Sequence, residues 1–132
     1  MSTSNDALRL AIRERLARSP RFKPIPVAAH DDSHTVKMDR YIAENGQGIG
    51  HEHNLQTMQH LWTRADAVDL MALSGITNKS YAPHRPDGKP GRHSNLAKIP
   101  GFADAPLIRF TPKTSEEAER IIDAVLGGVS PR

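Results

Sequence analysis

The sequence predicts an α+β fold rich in helix, with three or four helices around a central helix at about 54–74 and a small sheet that includes about 106–111. Three observations carry that expectation. Leu55, Met58, Leu61, Trp62, Ala65, Val68, Met71 and Ala72 recur at steps that place them on one side of a helix, with Gln56, Gln59, Thr63 and Asp66 opposite. Leu107, Ile108 and Phe110 form a short run that reads as a strand. Leu, Ile, Val and Phe number only 27 of 132 residues, too few for a large all-β core.

The elements follow in chain order. Ser4, Asn5 and Asp6 offer capping oxygens before Ala7, and Leu8, Ala11, Ile12 and Leu16 recur at helical spacing, so a helix is predicted from about Ala7 to Arg18. Ser19-Pro20 ends it, because proline disfavours a helical residue before it. Pro20 to Pro26 reads as an extended connector that cannot be a central strand. Ser33 to Glu44 suits a short helix stopped by Asn45-Gly46, although Val36, Met38 and Ile42 would also suit one face of a strand. The central helix ends at Gly75. From there to about Ala105 no period of either kind persists, and prolines and glycines break every candidate segment. Pro106 to Thr111 is the predicted strand, and Thr35 to Ile42 or a second copy of the chain is its best partner. A last helix is capped by Ser115, has Glu116 and Glu117 in its first turn, and carries the stripe Ala118, Ile121, Ile122, Val125 and Leu126. The expected organisation is a basic N-terminal helix with its proline-rich connector (1–26), then one compact domain (27–132) with a long basic loop at about 75–105.

Several classes are excluded or disfavoured. With no cysteine there is no disulfide frame, thiolate metal site or cysteine nucleophile, which suits a cytoplasmic setting. No apolar run approaches the length of a membrane span, so no membrane association is expected. The net charge of +3 hides blocks: +4 over residues 1–29, -4 over 30–75, +5 over 76–113 and -2 over 114–132. Two basic segments on one surface would make a field for a phosphate backbone; the alternative is that they lie against acidic segments of the same chain or a neighbour.

The basic loop gathers Lys79, Tyr81, His84, Arg85, Lys89, Arg92, His93 and Lys98, and Pro86-Asp87-Gly88-Lys89 has the composition of a tight turn that presents its cations. Arg9, Arg13, Lys79, Arg85, Lys89, Arg92 and Lys98 are therefore the candidate nucleic-acid contacts. Only Tyr81 is an aromatic neighbour, so a stacking platform is not supported. Among the seven histidines, His30, His34, His51, His53 and His60 are the candidate metal ligands, but His51-Glu52-His53 lacks a recognised ligand spacing and no metal or cofactor is assigned. A metal-free set drawn from His51, His53, His84 and His93 with Lys89 and Arg92 would suit acid–base cleavage of RNA. The leading expectation is a small intracellular accessory or regulatory protein that contacts nucleic acid through the basic loop and the arginine-rich first helix. A protein that binds an acidic protein partner or assembles as a homodimer comes second, and a histidine-based nuclease or hydrolase third.

Overall fold

Ser4 starts the first helix, α1 (Asn5–Arg18), by accepting the Ala7 N–H on its side-chain oxygen at 3.3 Å. Asp6 lies in the first turn and Arg15 and Arg18 in the last, each favourable to the helix dipole. Leu8, Ile12 and Leu16, spaced by four, are its buried stripe. The computed structural model describes residues 4–25, 38–82, 99, 101–102 and 105–127, and within them the chain is organised around a sheet.

Among the described residues six strands lie between the two helices in chain order: β1 (Phe22–Pro24), β2 (Met38–Ala43), β3 (Gly48–Glu52), β4 (His60–Arg64), β5 (Thr77–Tyr81) and β6 (Leu107–Thr111), with α2 (Ser115–Leu126) last. Their order in the sheet is β1-β2-β3-β4-β6-β5, and every neighbouring pair is antiparallel. Pro24 is tolerated because β1 is an edge strand, where a missing N–H breaks no ladder. The β2–β3 hairpin turns at Gly46, whose φ of 87° is a conformation that side chains with a Cβ resist. Asn45 locks that turn to the end of α2, its amide donating to the Val125 carbonyl at 2.8 Å and to the Leu126 carbonyl at 3.2 Å.

Both helices cover one face of the sheet. Leu8, Ile12 and Leu16 of α1 and Ala118, Ile121, Ile122, Val125 and Leu126 of α2 join Ala43, Ile49, Leu61, Ile108 and Phe110 in one core. Helix and strand 1 thus share the core of the rest of the chain. The opposite face carries a second cluster, in which Met38, Trp62 and Leu107 meet Ile99, Phe102 and Ala105.

The helix-rich expectation is overturned. Instead of three or four helices around a helix at about 54–74, two helices flank a six-stranded antiparallel sheet among the described residues. Leu61 and Trp62 are adjacent and point to opposite faces, yet both are buried, because each face has its own cover. A strand buried on both sides loses its alternation and can imitate a helical stripe. Met71, assigned to the buried wall, is 85% exposed, and Leu70 and Met58 are exposed as well. The short helix expected over Ser33 to Glu44 is replaced over its described part by β2, and the 75–105 segment contains β5. The partners of β6 are β4 and β5. Observed α1 and α2 match their predicted positions closely, except that Thr114 rather than Ser115 caps α2, accepting the Glu117 N–H at 3.1 Å.

Candidate functional site

Strand register brings polar groups together on the face away from the helices. Glu52 of β3 stands directly opposite His60 of β4, and Trp62 of β4 directly opposite Arg109 of β6. Lys79 of β5 is opposite Arg109 on its other side. Directly opposed residues share a face, so Glu52, His60, Trp62, Arg109 and Lys79 form one patch, with Thr111 and Tyr81 in phase.

Hydrogen bonds fix its centre. The Trp62 indole N–H donates to Glu52 Oε1 at 3.0 Å, and His60 Nδ1 lies 2.9 Å from Thr111 Oγ1. His60 is buried among them, with 6% of its surface exposed, while Glu52 and Thr111 are half-buried. Burial, and then the positive charge of Arg109, lower the His60 pKa below its ordinary 6.5; Glu52 opposes that shift.

The cationic side of the patch is built on aromatic rings. Trp62 and Tyr81 have centroids 5.0 Å apart. The Arg109 guanidinium carbon is 5.9 Å from the Trp62 centroid and 5.6 Å from that of Tyr81, and Lys79 Nζ is 5.2 Å from the Tyr81 centroid. The rings therefore gather two like charges that a bare cross-strand pair would disfavour. Among the described residues neither cation forms an ion pair, and Arg109 Nε is buried with no hydrogen-bond partner. Such an arrangement can hold an anion. Glu52 and His60 beside it can accept and donate protons.

His51 and His53 belong to the opposite, helix-covered face. His51 is fully buried with Nε2 2.8 Å from Gln59 Oε1, and Gln59 in turn donates to Asn5 Oδ1 and to the Met58 carbonyl. His53 Nε2 is 3.5 Å from Asp39 Oδ1, whose other oxygen takes Arg13 Nε at 3.0 Å. Arg9 donates from Nε to the His53 carbonyl and from Nη2 to the Leu55 carbonyl, both at 2.7 Å. These bonds staple α1 to the connection between β3 and β4. The rings of His51 and His53 are 5.9 Å apart, and His60 lies across the sheet from them. Among the described residues, no three His, Cys, Asp or Glu side chains converge as a metal site.

Of the candidate nucleic-acid contacts, Lys79 lies on the sheet-face patch, whereas Arg9 and Arg13 are on the helix side with intramolecular partners. Arg85, Lys89, Arg92 and Lys98, the histidines His84 and His93, and the metal candidates His30 and His34 lie outside the described residues. Glu52, Trp62, Thr111 and Arg109 are site residues that do not figure among the sequence-derived candidates. One signal was present: an arginine at the centre of the apolar run Leu107-Ile108-Arg109-Phe110. The aromatic pair is not legible in the sequence, because a helix over 54–74 would separate Trp62 from Tyr81.

No helix among the described residues is long and apolar enough to cross a membrane. Compared with protein-family models, with curated proteins and with solved structures, the chain matches none.

Proposed function

We propose that this chain is a small accessory or regulatory protein that binds single-stranded nucleic acid at the β5–β6 side of the sheet face away from its helices, where Lys79 is exposed and Tyr81 and Arg109 are half-buried. The observation that carries the reading is the pair Lys79 and Arg109, opposed across two strands and both packed against Tyr81. A sheet that offers cations for the phosphates and a half-buried ring for a base meets the two needs of single-strand binding. The cationic residues Arg85, Lys89, Arg92 and Lys98 follow Tyr81 in sequence, and we count them with Lys79 and Arg109 as proposed phosphate contacts.

Fluorescence anisotropy with labelled RNA and DNA oligonucleotides tests this. Binding should weaken as salt rises, with a log–log slope of roughly -0.7 per phosphate neutralised on a single strand. Lys79→Glu with Arg109→Ala should flatten that slope, and Lys89→Glu with Arg92→Glu should flatten it by about two contacts' worth. Absence of binding by the wild type at ~50 mM salt would overturn the reading. A second reading, assembly with itself or with an acidic protein, has one observation in its favour: β5 is an edge strand with four of its five residues exposed. Gel filtration showing a dimer, together with no nucleic-acid binding, would select it.

A further inference from the structure

The half of the patch that faces away from Lys79 does more than attract an anion. Glu52 and His60 are cross-strand partners, a placement that sets their Cβ atoms on the order of 4.5–5.5 Å apart. Each is held from the side, Glu52 by the Trp62 indole N–H and His60 by Thr111 Oγ1. Engagement of Nδ1 by Thr111 makes Nε2 the imidazole nitrogen available for proton transfer. Arg109, next to Trp62 on the same face, supplies a fixed positive charge.

We infer that this cluster cleaves RNA without a metal ion, with Glu52 as general base, His60 as general acid and Arg109 stabilising the charge on the phosphoryl oxygens. The inference rests on the nucleic-acid reading and narrows it to RNA. Glu52 takes the proton of a ribose 2′-hydroxyl, whose oxygen forms a bond to the adjacent phosphorus. The bond from phosphorus to the 5′-oxygen breaks as His60 delivers a proton to that leaving oxygen. One product ends in a 2′,3′-cyclic phosphate and the other in a 5′-hydroxyl; the step consumes no further reactant. Positioned acid–base groups and a preorganised cation are the elements such a displacement needs.

Among the described residues, the charged groups on the face of His60 are its neighbours Glu52 from β3 and Arg109 from β6, with Lys79 of β5 beyond Arg109, the buried Arg40 of β2 beyond Glu52, and Arg64 farther along β4. Burial and Arg109 make the imidazolium a stronger acid than free histidine, so loss of its proton should limit the rate from below pH 6.5 upward.

The test incubates the full chain with a single-stranded RNA, and with DNA of the same sequence, in the presence of EDTA. RNA should be cut to 2′,3′-cyclic phosphate ends by mass spectrometry, and DNA left intact. Glu52→Gln and His60→Gln should each slow cleavage by about 100-fold or more while RNA affinity by anisotropy is kept. His60→Gln should also lose the alkaline limb of the pH profile. Should His60→Gln fail to fold, an RNA with a single 2′-deoxynucleotide still decides, since cleavage at that position must stop. RNA that is bound but stays intact, products with other ends, or undiminished cleavage by Glu52→Gln would overturn the catalytic assignment and leave binding standing. Failure to bind RNA would overturn both.

Discussion

His51 donates its Nε2 proton to Gln59 Oε1 across 2.8 Å of buried space. The direction is set by Gln59, whose amide nitrogen is already a donor to Asn5 Oδ1 and the Met58 carbonyl, so its oxygen must accept. His51 Nδ1 is left as a buried atom with no partner. A second proton on the ring would meet no acceptor at Nδ1, and burial lowers the His51 pKa to about 4.

That pair predicts a pH dependence of stability. In the unfolded chain His51 titrates near 6.5, and in the folded chain near 4, so the fold favours the neutral ring. Its contribution is complete above pH 6.5, is lost as pH falls from 6.5 towards about 4, and changes little below that. The total is about 3 kcal/mol. His53 and His60 are shifted in the same direction, so the isolating comparison is wild type against His51→Gln. Urea titrations across that window should show the gap between them narrowing as pH falls; a constant gap would show that His51 is not the source.

Trp62 is 2% exposed and its indole ring contacts Tyr81, Arg109 and Glu52. Trp62→Ala should cost on the order of 3–5 kcal/mol. A melting temperature close to that of wild type would refute the packing described for this face.

The cost expected for Trp62 is the same whether it lines a helix or a strand, which explains how burial was legible while the element was not. Leu61 and Trp62 announce a core by their size. Only their alternation to opposite faces distinguishes a strand, and two covered faces erase it. The ends of the chain were easier, since Leu8, Ile12 and Leu16, and Ile121, Ile122 and Val125, have solvent on one side and a genuine helical stripe. Gly46 was read as the stop of a helix; its positive φ is real and serves a hairpin. The site was hidden for a different reason. Glu52, His60 and Arg109 are brought together by strand pairing across the long separation between β4 and β6, which local spacing does not encode.

Gly48 marks a close approach between the sheet and the residues that cover its second face. A Cβ there would collide with Ile99 Cγ2 and come within 3.1 Å of Phe102 Cε1, both side chains being buried. Gly48→Ala should therefore destabilise by about 1–3 kcal/mol. Thermal denaturation with no loss would place Ile99 and Phe102 elsewhere.

Thr114 caps α2 through its hydroxyl, and Glu117 reaches back to the Lys113 N–H at 2.8 Å. Thr114→Ala should cost about 1 kcal/mol, and Thr114→Asp should recover most of it. Equal stability of the alanine and aspartate variants, by chemical denaturation, would show that the cap is made otherwise.

Arg15 of α1 donates to Glu119 of α2 at 2.9 Å and approaches Asp123 at 3.3 Å, tying the first helix to the last. The consequence appears during synthesis. The first helix emerges before any strand, yet it packs against the last helix and its Leu8, Ile12 and Leu16 join Ile121, Ile122 and Val125 in one core. On the ribosome its apolar stripe must therefore wait for nearly the whole chain. The closing contact spans 104 positions of sequence, a separation that favours slow folding and prolonged exposure of the nascent first helix to chaperones.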